Sequence, residues 1–95
     1  MQILWTLAAV RDLDAVKAFV SRDNPAAAID PVLRVIQAVE RLLPEIPHIG
    51  QAGCVPGTRE LVIPGTPHLV AYRVRRKNLE ILRVLHHAQQ WPDNL

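Results

Sequence analysis

GTRELVIPGTPHLVAYRV, residues Gly57 to Val74, reads as two alternating apolar runs joined by a Pro-Gly-Thr-Pro turn. Period-two alternation, β-branched residues and turn chemistry between them predict a β-hairpin. Arginine is a poor core residue, yet Arg59 and Arg73 stand inside its strands. Each must lie on a wet face, be paired, or serve a function. A third run follows, so the spacing predicts strands over 58–63, 68–75 and 78–86. The last two meet at a tight turn near Arg76-Lys77, without the usual Asn-Gly signature. A two-residue turn sets Arg75 opposite Asn78 and Arg73 opposite Glu80. Arg73, Glu80 and His86 then share a side with Leu69, Ala71, Leu82 and Val84. Val70, Tyr72, Val74, Leu79, Ile81 and Leu85 take the other, greasier side. With a four-residue turn between the first two strands, Arg59 shares the Tyr72 face.

Upstream, Ile3-Leu4-Trp5 suits a first strand. Ala9, Val10, Leu13, Val16, Phe19 and Val20 fall on one helical stripe, and Ile29, Val32, Leu33, Ile36, Val39 and Leu43 on a second. Asn24-Pro25 matches a cap followed by proline at the first helical position. Pro31 either kinks the second helix or, as Asp30-Pro31, marks its true start; the second option is preferred. Pro44 and Pro47 end the helix, and a loop runs to Pro56. The expected order is β-α-α-β-β-β, an N-terminal strand and helical hairpin packed on an antiparallel sheet. That is an α+β fold, in a single domain over 1–95.

The chain has 95 residues, 49% of them hydrophobic, enough for a real core in one small domain. Its apolar runs are too short to span a membrane, and Met1-Gln2-Ile3 lacks the basic start of a signal peptide. The one cysteine, Cys54, excludes an internal disulfide and fits a reducing cytosol. It has no metal-ligand spacing to the histidines and reads as inert; no cofactor or metal is expected. Net charge is only +2, but unevenly spread: residues 48–95 hold six Lys/Arg against three Asp/Glu. Five of those cations lie between Arg73 and Arg83. Such a patch attracts phosphates or an acidic partner, or is simply a solvated hairpin tip.

WTLAAVRDLDAVKAFV, NPAAA, AVERL, PGTREL, TPHLVAYRV and EILRVLHHAQQWP occur in the order and spacing of the RelE/ParE toxins. Over nearly its whole length the chain resembles the toxin of a bacterial type II toxin–antitoxin, or plasmid stabilisation, module. The resemblance implies a cytoplasmic growth inhibitor silenced by a cognate antitoxin, in a toxin–antitoxin hetero-oligomer. The antitoxin's C-terminal segment would wrap the helical hairpin and sheet. Two mechanisms are open: ParE-like members block DNA gyrase, and RelE-like members are mRNA interferases that cut mRNA on the ribosome.

Cutting RNA through its own 2′-hydroxyl needs a base, an acid, and cations for the charged phosphorane. For that chemistry the catalytic candidates are His86, His87 and Arg73. Arg59, His68, Arg75, Arg76, Lys77, Arg83 and Trp91 are candidates for contact with a target or RNA. In ribonuclease members of the family that this chain resembles, functional cations or histidines lie on the second strand, at the start of the third and just after the fourth. His68 matches the start of the third and His86-His87 the end of the fourth. Plainer readings stand beside these. Arg73 opposite Glu80 is a cross-strand ion pair, Trp5 and Trp91 are packing residues, and one of two adjacent strand-end histidines points away from the other.

The second strand, RELVI, holds no lysine, where RelE-like nucleases use lysines. Gln51, Cys54 and Gln89 stand where close members often have arginine, and His68 where they have tyrosine. The preferred reading is therefore a ParE-like gyrase inhibitor. The alternatives are a ribosome-dependent endoribonuclease and an inactive relic that only binds antitoxin.

Overall fold

The computed structural model describes residues 1–23 and 29–87. Strand β1 (Gln2–Trp5) leads at once into helix α1 (Leu7–Asp23), and helix α2 spans Ile29–Leu42. The short strand β2 (Gln51–Ala52) precedes β3 (Arg59–Val62), β4 (His68–Arg75) and β5 (Asn78–His86). Thr6 caps α1, its hydroxyl accepting from the Ala9 amide at 3.1 Å, as a threonine just ahead of a helix does. Pro31 falls in the first turn of α2, where backbone N–H groups have no intrahelical acceptor, so its missing donor costs nothing there. Asn24-Pro25 lies outside the described residues.

The three expected C-terminal strands appear nearly where the alternation put them, but the sheet is larger and mixed. Its order is β1-β5-β4-β3-β2. β1 runs parallel to β5, pairing Gln2 with Asn78 and Trp5 with Ile81, while the remaining pairs are antiparallel. A parallel partner must be reached by a crossover, and here the helical pair provides it. β2 carries no alternation, being two exposed residues recruited onto β3.

The main core cluster lies on one face of this sheet, while Leu69, Ala71 and Leu85 are buried on the other. Ala9 of α1, Val35 and Val39 of α2, and Leu43 pack with Leu61, Ile63, Val70, Tyr72, Leu79, Ile81 and Val84. Ile3, Trp5 and Leu13 close its margin, so Trp5 is a packing residue. Each fully buried aliphatic or aromatic side chain contributes about 1.5–3 kcal/mol of burial. The helices thus dock on the Tyr72 side, and Arg73 projects from the other.

One expectation about faces needs correction. The two-residue turn holds near the tip, where Arg75 meets Asn78, Arg73 meets Glu80 and Tyr72 meets Ile81. Then a bulge intervenes: Ala71 pairs with Arg83, Val70 with Val84, Leu69 with Leu85 and His68 with His86. The extra residue, Leu82, shifts everything after it by one and so exchanges faces. Val84 and His86 belong to the helix-facing side, and Leu85 to the Arg73 side, the reverse of uninterrupted alternation. The helical stripes are only partly covered. The buried line of α2 is Val35 and Val39, continued by Leu43 just after it, whereas Leu33 and, on α1, Val10 are exposed. Their stripes are wider than the sheet can cover.

Candidate functional site

Beyond Trp5 the edge of β5 is no longer covered by β1, and side chains from the start of α1 take over. The Thr6 amide donates to Ile81 O at 3.1 Å and the Thr6 hydroxyl to Leu82 O at 2.9 Å. Asp12 accepts from Val84 N at 2.9 Å, and from Arg83 Nε and Nη2 at 2.7 and 3.0 Å. The two-pronged guanidinium–carboxylate fork raises the Arg83 pKa above its ordinary value, the hydrogen bond to Asp12 being the largest cause. Arg83 is therefore engaged within the fold. Nothing in the sequence signals this contact, because its partners lie 71 positions apart.

Arg73 and Arg59 also hold partners. Arg73 Nε bonds Glu80 Oε1 across the strands, the pairing that the hairpin register requires. Arg59 opposes Tyr72, and its guanidinium donates to the carbonyls of Gly50 at 2.9 Å and His48 at 3.3 Å. It thereby fastens the loop after α2 onto the sheet. Fully buried Tyr72 does the same from the neighbouring strand, donating to Pro47 O and accepting from Gly50 N, both at 2.9 Å. Gly50 has no room for a Cβ, which would meet the Tyr72 hydroxyl oxygen at 2.7 Å.

The three histidines gather at the open end of the β4–β5 hairpin. The His68 and His86 rings meet edge to face at 5.6 Å, and His86 and His87 stack at 4.7 Å. The adjacent pair was expected to point apart; instead β5 ends at His86, which releases His87 from strand alternation. His87 turns back on the β3–β4 turn, its amide donating to Pro67 O at 2.9 Å. His68 is buried, and among the described residues its Nδ1 has no hydrogen-bond partner. Burial first, then the nearby His86 and His87, hold its pKa below the ordinary imidazole value. His68 is thus a neutral ring at pH 7, and burial weakens it as a proton acceptor. The trio does not form a metal cage: no such cluster of three or more His, Cys, Asp or Glu occurs among the described residues.

At the opposite end of the hairpin stand Arg75, Arg76 and Lys77, all exposed. A strand of eight residues separates this tip from His68, roughly 23 Å at the rise of a β-strand. Arg73 is five residues from His68 along β4 and on the opposite face from His86, roughly 17 Å away. The fold thus brings the histidines to one another and the tip cations to one another, but does not bring Arg73 to the histidines. Trp91 and Gln89 lie outside the described residues. Exposed Gln51 sits on the edge strand β2. The amide of Cys54 is bonded to Glu60 at 2.8 Å, and the Glu60 charge raises the thiol pKa, which disfavours the reactive thiolate.

A further surface lies over α2, where Arg34, Gln37, Ala38, Arg41, Leu42, Ile63 and Pro64 line a shallow groove. Leu7, Val10 and Leu33 of the helical pair are exposed, Leu7 at 63%. No helix among the described residues is long and apolar enough to cross a membrane.

Comparison with known proteins adds to this geometry. A family model described as the ParE toxin of the type II toxin–antitoxin system parDE matches residues 3–91. The protein Y4kP of Sinorhizobium fredii is 44% identical over 94 residues, spanning 99% of this chain and 96% of that one. Toxin RelE2 of Caulobacter vibrioides is 30% identical over 88 residues, 93% of this chain and 97% of its own. Among solved structures, a chain of the chromosomal ParDE TA system from P. aeruginosa superposes with a TM-score of 0.85 at 29% identity, covering 90% of this chain and 95% of that chain. HP0894, a conserved hypothetical protein of Helicobacter pylori, shares the fold alone, with a TM-score of 0.57 at 18% identity over 96% of this chain and 99% of its own.

Proposed function

This chain belongs to the ParE toxin family of type II toxin–antitoxin systems, and from that premise we propose that it arrests growth by binding DNA gyrase rather than by cutting mRNA. One observation carries the choice. An endoribonuclease needs base, acid and cation around a single phosphate, within hydrogen-bond reach of it. Here Arg73 sits on the other face of the sheet from His86, and the nearest arginine along β5 to the histidines, Arg83, is forked to Asp12. Arg59 is committed to loop carbonyls. A gyrase inhibitor needs a complementary surface and no catalytic group, so it is indifferent to this dispersal.

A cognate antitoxin is the second partner, and exposed Leu7, Val10 and Leu33 support a docking surface on the helical pair. Apolar side chains left uncovered on a small domain mark a surface that is buried in a complex. Its chemistry fits an amphipathic segment laid against the helices.

The runner-up reading, ribosome-dependent mRNA cleavage, draws support from the gathering of His68, His86 and His87 at the open end of the hairpin. Pulse induction separates the two. Gyrase binding predicts blocked supercoiling and a DNA-damage response with transcripts intact. Cleavage predicts cut transcripts within minutes, abolished in a His86→Ala, His87→Ala double variant. Cut transcripts with unimpaired supercoiling reject the proposal, and undisturbed growth leaves an antitoxin-binding relic.

A further inference from the structure

The turn of the β4–β5 hairpin is built at a cost that its sequence could have avoided. Arg76 has a φ of 58°, the left-handed region where a side chain crowds its own backbone and where glycine or asparagine normally stands. Two further cations flank it, and all three side chains are exposed. The acid nearest in register, Glu80, is already bonded to Arg73. The platform beneath is pinned from three sides: Arg75 pairs with Asn78, Asn78 pairs with Gln2 of β1, and the Gln2 amide reaches Lys77 O at 3.4 Å. Strained backbone retained under a charged side chain points to a function for the charge.

We infer that Arg75, Arg76 and Lys77 form a phosphate-binding tip that rests on the backbone of duplex DNA. The occupant follows from shape as well as charge. A convex, rigid, triply cationic turn offers no pocket for a side chain, but it can rest between the rows of phosphates that border a groove of a duplex, and contacts of that kind carry no base specificity. The inference rests on the gyrase reading, since gyrase carries the DNA duplex that it supercoils.

Fluorescence anisotropy of the purified toxin with a short labelled DNA duplex tests this, alongside a gyrase supercoiling assay. Three phosphate contacts give a slope of log affinity on log salt of about −2.7, a loss of about 40-fold between about 50 and about 200 mM salt. The Arg75→Gln, Arg76→Gln, Lys77→Gln variant is expected to lose that dependence and to bind about 10-fold more weakly or worse at low salt. An Arg75→Lys, Arg76→Lys variant keeps both, and antitoxin binding retained by each variant shows that it is folded. Undetectable duplex binding by the natural chain, unchanged binding by the triple glutamine variant, or a preference for an RNA helix or an acidic peptide overturns the inference. If the natural chain also blocks supercoiling in those cases, the gyrase reading survives. Salt-dependent duplex binding by a chain that does not inhibit gyrase supports the tip and rejects gyrase as the target.

Discussion

Removing the Asp12 carboxylate strips three hydrogen bonds from the junction of α1 and β5 at once. Arg83 Nε and Nη2 lose their acceptor, and Val84 N–H, on a strand edge that β1 no longer covers, is left unpaired. A hydrogen bond to a charged group is worth about 1.5–3 kcal/mol, and breaking a fully buried ion pair from one side costs about 3–5. This fork is not fully buried. The Arg83 and Asp12 side chains are 23% and 16% exposed, so water screens part of the loss and re-solvates the abandoned guanidinium. Asp12→Ala should therefore destabilise the toxin by about 2–3 kcal/mol, and Asp12→Asn, which keeps one oxygen for Val84 N, by about half that. For a domain of this size the alanine change lowers Tm by about 10–20 °C.

Urea unfolding of the free toxin is the right assay, because bound antitoxin would mask the difference by mass action. A double-mutant cycle with Arg83→Met, which keeps the aliphatic stem, isolates the pair. Coupling of about 1 kcal/mol or more is expected. An Asp12→Ala midpoint within about 0.5 kcal/mol of the natural chain, or coupling near zero, would show that the fork merely accompanies a junction held by packing.

Tyr72→Phe leaves Pro47 O and Gly50 N without their buried partner; a loss of about 1–3 kcal/mol and faster hydrogen exchange at the Gly50 amide should follow. Arg76→Asn relieves the left-handed turn residue and should stabilise by a few tenths to about 1 kcal/mol in chemical denaturation, while weakening duplex binding. Acidification should also destabilise the fold. The unfolded chain protonates His68 near pH 6.5, but burial and the two neighbouring rings delay that proton uptake in the folded chain. This contribution is complete above about pH 6.5, is lost as pH falls from there to the folded value, and levels off below it. A His68→Gln variant should show a flatter fall in unfolding free energy on acidification; an identical pH profile would remove His68 as the cause.

Local pattern carried this chain a long way. The run from Gly57 to His86 encodes its own strands, because alternation, β-branched residues and turn chemistry act over neighbouring positions. The same pattern set Arg73 against Glu80 and Arg59 on the Tyr72 face. The spacing of Ala9 and Leu13, and of Val39 and Leu43, sufficed to lay two helices against that layer, and motif order sufficed to indicate the family. What local pattern could not encode was any relation between distant segments. The bulge at Leu82 is such a case: it has no signature in NLEILRVLH, yet by inserting one residue it carries His86 to the helix side and separates it from Arg73. The parallel docking of Gln2–Trp5 on β5, the Asp12–Arg83 fork and the gathering of His68, His86 and His87 are others. Each joins residues from different elements or beyond a strand's end, and only the assembly of the sheet with its helical pair decides which of them meet.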